Sequence, residues 1–173
     1  MRKPIEEVTV DLDEFNRLPE DEARAALRPC LDVDRWIAEV SAARPYPDVD
    51  SALAAARSAA NPLTPEEIDA ALAHHPRIGE KAAGDSAEAA HSSREQAGLG
   101  QLGTDVQSRL AAGNAAYEER FDRVFLIRAA GRDPEEILAE LERRMDNTDD
   151  AELAEVGEQL IQIAALRLEG ALT

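Results

Sequence analysis

Residues Thr64–Lys81 read TPEEIDAALAHHPRIGEK. Thr64-Pro65-Glu66-Glu67 combines an N-cap hydroxyl, a proline at the first helical position and a glutamate at the third, so a helix starts here. It continues through Ile68 and Leu72. Pro76 disfavours helical geometry at His75, which puts the helix end near His74. His74 is then a last-turn residue, and His75 is extended.

The same punctuation recurs on both sides. Asp85-Ser86-Ala87-Glu88 opens a helix through Gln96 that Gly98 closes, and GLGQLG (98–103) is a connector. Asp133-Pro134-Glu135-Glu136 opens another, with Ile137, Leu138, Leu141 and Met145 as its apolar stripe. Thr104 caps a longer helix carrying Val106, Leu110, Tyr117 and Phe121. Thr148 begins a last helix reaching about Leu172. Earlier in the chain, 11–18, 19–27, 34–43 and 49–60 read as helices, the third through Trp36, Ile37 and Val40. Val124–Ala130 (VFLIRAA) is apolar without a helical period and reads as a buried extended segment or tight turn. No hairpin signal separates alternating apolar runs. The expected fold is all-α, a single compact domain of about eight or nine helices over residues 1–173.

The bulk numbers agree with a folded chain. It has 173 residues, 44% hydrophobic and 32% charged, enough to bury a core. Aromatics are 3%, so Leu, Ile, Val and Ala must fill that core. Nineteen basic residues against thirty-six acidic ones give a net charge of −17. Such a surface repels phosphate backbones and anionic lipid, which argues against nucleic-acid and membrane partners. Cys30 is the only cysteine, so a disulfide framework or cysteine zinc site within one chain is excluded. No apolar run approaches a membrane span, and MRKPIEEV lacks the apolar core of a signal peptide. The simplest expectation is a cytoplasmic protein.

Three features carry chemistry. An extended backbone points His74 and His75 in opposite directions, so the two do not suit one metal. His74 has a structural reading as a cation at a helix C-terminus. His75 projects from a proline-stiffened corner, and an imidazole titrates near neutrality, so it can pass a proton either way. Next, Ser92, Glu95 and Gln96 stand at i, i+3 and i+4 and share one helix face. Hydroxyl, carboxylate and amide together suit a small polar heterocycle, although a solvated face has the same spacing. Last, the stripe Leu153, Val156, Leu160, Ile163 continues to Arg167. An arginine on a core-facing stripe is costly unless an anion meets it or its head snorkels to water.

HPRIGEK, SSREQAGL, NAAYEERF, VFLIRAAGR and IAALRLEGAL occur in this order. With these motifs, nearly the whole chain resembles the family of 2-oxo-4-hydroxy-4-carboxy-5-ureidoimidazoline (OHCU) decarboxylases. The resemblance implies an all-α homodimer that converts OHCU to (S)-allantoin and carbon dioxide without a cofactor. It implies that His75 and Glu95 are catalytic, and that Pro76, Ser92, Gln96 and Arg167 bind substrate. It further implies that Asp122, Arg123, Val124, Phe125 and Leu126 form a substrate-contacting segment acting largely through main-chain groups. One departure stands out. The family commonly has glycine after the phenylalanine where this chain has Asp122; aspartate tolerates left-handed geometry better than most residues.

Two other readings fit the residues alone. One is a metal-dependent hydrolase using His75, His91 and Glu95, which metal analysis of the purified protein separates. The other is a non-catalytic acidic helical interaction domain, whose surface would have no pocket joining His75 to Glu95.

Overall fold

A computed structural model of the protein describes residues 10–78, 95 and 103–173. Eight helices have described bounds, and no described residue is in a strand. They are α1 (Leu12–Arg17), α2 (Glu20–Leu27), α3 (Asp34–Ala42), α4 (Val49–Ser58), α5 (Pro65–Leu72), α6 (Thr104–Phe121), α7 (Pro134–Arg144) and α8 (Asp149–Leu172). The all-α expectation holds. The helix expected over residues 85–96 and most of the 98–103 connector lie outside the described residues.

The capping signals act as their chemistry requires. In α5 the Glu67 N–H donates to Thr64 Oγ1 at 3.2 Å, and the Thr64 N–H returns a bond to Glu67 Oε1 at 3.4 Å. This is the reciprocal capping box. Asp133 caps α7 by accepting from the Glu136 N–H at 2.8 Å, and Thr148 Oγ1 accepts from the Ala151 N–H at 3.2 Å ahead of α8.

Three boundaries differ from expectation. α5 stops at Leu72, two residues before His74. A helix through His74 would need the His75 N–H on the Ala71 carbonyl, four residues back. It bonds the Leu72 carbonyl instead, at 3.0 Å, closing a tighter turn in which His74 lies; Pro76 has no N–H to compete for that carbonyl. α4 stops at Ser58 rather than Ala60, because Ala60 has a positive φ of 51° and donates its N–H to Glu39 Oε2 at 2.7 Å. α6 is capped by Gly103, not Thr104, and the Gly103 carbonyl accepts the Gln107 N–H at 3.0 Å.

Contacts group the chain into two units, residues 1–71 with 160–173, and residues 72–159. In the first, α3 packs against α2 and α4. Its centre is Trp36, fully buried, whose indole N–H donates to the Ala56 carbonyl at 2.9 Å. The Tyr46 hydroxyl donates to the Val40 carbonyl at 2.6 Å. The end of α8 contributes Ile163, Ala164, Leu168 and Leu172 to the buried set, and Cys30 is buried as well.

In the second unit, α6 packs on α7. Gly113 makes the approach close: a Cβ there would meet the Leu141 methyls at 3.1 Å. Leu110, Tyr117, Phe121, Phe125, Ile127, Ile137 and Leu141 form the core together with Ile78. Tyr117 packs edge-on against Phe125, ring centroids 5.2 Å apart. The 124–130 segment is extended and contributes Phe125, Leu126, Ile127 and Ala129 to the buried set, as expected. Met145 is only partly buried; Arg144 takes the fully buried place next to it. No described helix is long and apolar enough to cross a membrane.

Candidate active site

His75 and Pro76 are each half-buried, on the corner that follows α5. The corner is fixed at both ends. Before it, the His75 N–H is tied to Leu72. After it, Ile78 is 5% exposed in the core of the second unit, and its carbonyl accepts from Asn114 Nδ2 at 3.1 Å. Between them, Arg77 forms a two-pronged ion pair with Glu118: Nε meets Oε1 and Nη2 meets Oε2 at 3.1 Å. The backbone on both sides of the His75 imidazole is therefore fixed, while the residue itself is only half-buried.

Glu95 is helical and half-buried. Ser92 and Gln96, expected beside it, lie outside the described residues, and so does His91 of the alternative metal set.

The 122–126 segment starts at a helix end with unusual geometry. Asp122 caps α6 in the left-handed conformation, φ 54° and ψ 35°, with its N–H on the Glu118 carbonyl at 2.9 Å. This is the position where glycine is commonest at helix ends, and aspartate adopts it at modest cost. Asp122 therefore forms the left-handed turn itself. Arg123 and Val124 are half-buried, while Phe125 and Leu126 are 0% and 3% exposed.

The carbonyl of Leu126 accepts from Arg144 Nη1 at 2.7 Å, a contact that sequence reading missed. Arg144 is itself 1% exposed, and Glu152 is also 1% exposed. Arg144 Nε donates to Glu152 Oε1 at 2.8 Å, and Nη2 reaches the same oxygen. The Tyr117 hydroxyl donates to Glu152 Oε1 at 2.5 Å, and Asn147 Nδ2 donates to Oε2 at 3.0 Å. The guanidinium lies 4.6 Å from the Phe125 ring centroid. Both charges are thus matched and hydrogen-bonded, the condition under which a buried pair is tolerated. Burial, and then the bond to Glu152, pushes the Tyr117 pKa up, so the hydroxyl stays a donor. Two residues on, Gln159 Oε1 accepts the Arg128 N–H at 2.8 Å. The second unit therefore brings together the His75 corner, α6 and the 122–126 segment.

Arg167 belongs to the first unit. It is 5% exposed on the buried stripe of α8, as its register predicted, and Nη1 donates to the Pro29 carbonyl at 3.1 Å. The snorkelling alternative is not realised. Among the described residues no cluster of three His, Cys, Asp or Glu is arranged to hold a metal.

Comparison with known proteins follows this architecture closely. The sequence model of the OHCU decarboxylase family matches residues 16–169. A 2-oxo-4-hydroxy-4-carboxy-5-ureidoimidazoline decarboxylase of Haloferax volcanii is 30% identical over 159 residues, covering 91% of this chain and 93% of that protein. The crystal structure of an OHCU decarboxylase in the presence of (S)-allantoin superimposes with a TM-score of 0.68 at 22% identity, covering 90% of this chain and 99% of that one. An (S)-allantoin synthase gives a TM-score of 0.67 at 19% identity, over 94% of this chain and 54% of the other. At these identities the two structures speak for the fold.

Proposed function

The chain belongs to the OHCU decarboxylase family, and from that premise we propose that it converts OHCU to (S)-allantoin and carbon dioxide, with His75 as the proton-transfer residue. The observation that carries this reading is the match to a decarboxylase of that name across 91% of the chain.

The chemistry asks little beyond proton traffic. When carbon dioxide leaves, its electron pair passes into the ring and is accepted by the adjacent imine, so the substrate supplies its own electron sink. The hydroxyl proton then departs as the ring carbonyl forms, and a proton is delivered to the neighbouring ring carbon. An imidazole fixed over one face of that carbon sets the hand of the product. General acid–base help of this kind contributes about 10²–10⁴-fold. The bonding of residues 72, 77 and 78 supports His75 in that role, because proton transfer needs a ring held in place.

The remaining roles extend the same reading. Glu95 orients His75 or holds ring N–H and ureido groups. Ser92, Gln96 and Pro76 bind the heterocycle, and main-chain groups of residues 122–126 complete the contacts. Arg167 anchors the carboxylate through two parallel hydrogen bonds. We further propose that the protein is a cytoplasmic homodimer, its dimeric state being tested by sedimentation analysis.

A coupled urate-oxidation assay followed by circular dichroism tests the activity. The purified protein is expected to accumulate (S)-allantoin faster than OHCU decays unaided. Racemic product at the background rate would contradict the reading.

A further inference from the structure

We propose that one turn of α6, Asn114 to Glu118, positions both main-chain segments of the site, the His75 corner and the 122–126 segment. This rests on the assignment of His75 and residues 122–126 given under Proposed function.

Asn114 and Glu118 stand at i and i+4 and share a helix face. Both reach the chain just after His75, Asn114 through the Ile78 carbonyl and Glu118 through Arg77. Tyr117 stands between them and starts a second chain of bonds. Its hydroxyl holds Glu152, Glu152 holds Arg144, and Arg144 holds the Leu126 carbonyl. A carbonyl fixed by a directed donor fixes the plane of its peptide, and hence the direction of the residues around it. The geometry at His75 and at residues 122–126 is therefore set from one helical turn.

Energetics separate this role from simple stabilisation. The Arg77 and Glu118 side chains are 45% and 26% exposed, and exposed pairs add little to stability. Among the described residues, Asn114 Oδ1 is buried and accepts no hydrogen bond, so Asn114→Ala removes a desolvated acceptor along with the useful donor. The two changes partly offset, and alanine suits a helix interior. Tyr117→Phe keeps the ring and deletes only the hydroxyl.

The test is steady-state kinetics on OHCU with the full chain. Asn114→Ala is expected to lower kcat about tenfold with KM within about twofold, since a misplacement of about 1 Å costs on the order of 100-fold. Tyr117→Phe is expected to raise KM about tenfold. Arg77→Glu and Glu118→Arg should each lower kcat several-fold, and the combined charge swap should recover it. A role confined to holding the fold would lower the thermal midpoint and leave kcat and KM of the folded protein unchanged. Wild-type kcat in a folded Asn114→Ala variant overturns the inference, whatever Tyr117→Phe does. If Asn114→Ala does not fold, the exposed pair decides: unchanged kcat in both single variants overturns it. His75→Ala run in parallel separates the two levels. An active wild type, an inactive His75→Ala and a normal Asn114→Ala refute the inference alone, whereas full turnover by His75→Ala removes the reading beneath it.

Discussion

Arg144 and Glu152 form an ion pair whose side chains are each 2% exposed, and the same guanidinium fixes the Leu126 carbonyl from 2.7 Å. A charged pair at the centre of a helical unit is an expensive way to hold a segment unless every donor and acceptor is used. Here Tyr117 and Asn147 complete the carboxylate. Without Glu152, the buried Arg144 keeps only a 3.3 Å approach to the half-buried Glu155, and most of its charge is left uncompensated. Glu152→Ala is therefore expected to lose about 3–5 kcal/mol of stability, read from the urea midpoint. A loss below about 1 kcal/mol would show that water reaches the pair.

Asp122 adopts the left-handed conformation at the end of α6. Asp122→Gly removes the steric cost of a Cβ there, and the expected gain is about 0.5–1 kcal/mol, read from the thermal or urea midpoint. Asp122→Val, β-branched at the same position, is expected to lose about 1–2 kcal/mol. Equal stability of the two variants would contradict the assigned backbone geometry.

Alkaline pH should weaken the fold through Tyr117. Its pKa is raised above the ordinary 10.0, by burial first and the Glu152 bond second. A raised folded-state value means that the native protein keeps a proton that the unfolded chain releases. The stabilisation is fully present below the ordinary tyrosine range and is lost as pH rises above it. Burial raises Tyr46 in the same direction. Urea midpoints are expected to fall from pH 9 to pH 11, and Tyr117→Phe should flatten that fall.

Arg167 presents a planar fork from the buried stripe of α8 and spends Nη1 on the Pro29 carbonyl. Lysine keeps the charge but not the fork. Arg167→Lys is expected to raise KM for OHCU about tenfold, equivalent to about 1.4 kcal/mol of lost binding, with a smaller effect on kcat. An unchanged KM would remove Arg167 from carboxylate binding.

Local chemistry was legible in the sequence where it acts within a few residues. The Thr64–Glu67 box, the Asp133 cap and the stop enforced by Pro76 each follow from groups close in the chain, and each is present. The i+4 stripe also placed Arg167 on the buried face of α8. Partners distant in sequence were not legible. Arg144 and Glu152 look like surface charges on amphipathic helices, because periodicity does not say which charge a neighbouring helix will cover. Asn114 likewise reads as one polar residue in a mixed helix, and its bond to Ile78 spans 36 positions. The left-handed turn at Asp122 was legible only through comparison with the family's glycine.

The proposed proton transfer depends on a single imidazole, that of His75. The most direct measurement is the circular-dichroism-coupled assay on His75→Ala, with helicity checked on the same sample. Wild-type helicity is expected, with product that is racemic and forms no faster than OHCU decays unaided. Continued formation of (S)-allantoin at the wild-type rate would contradict that expectation.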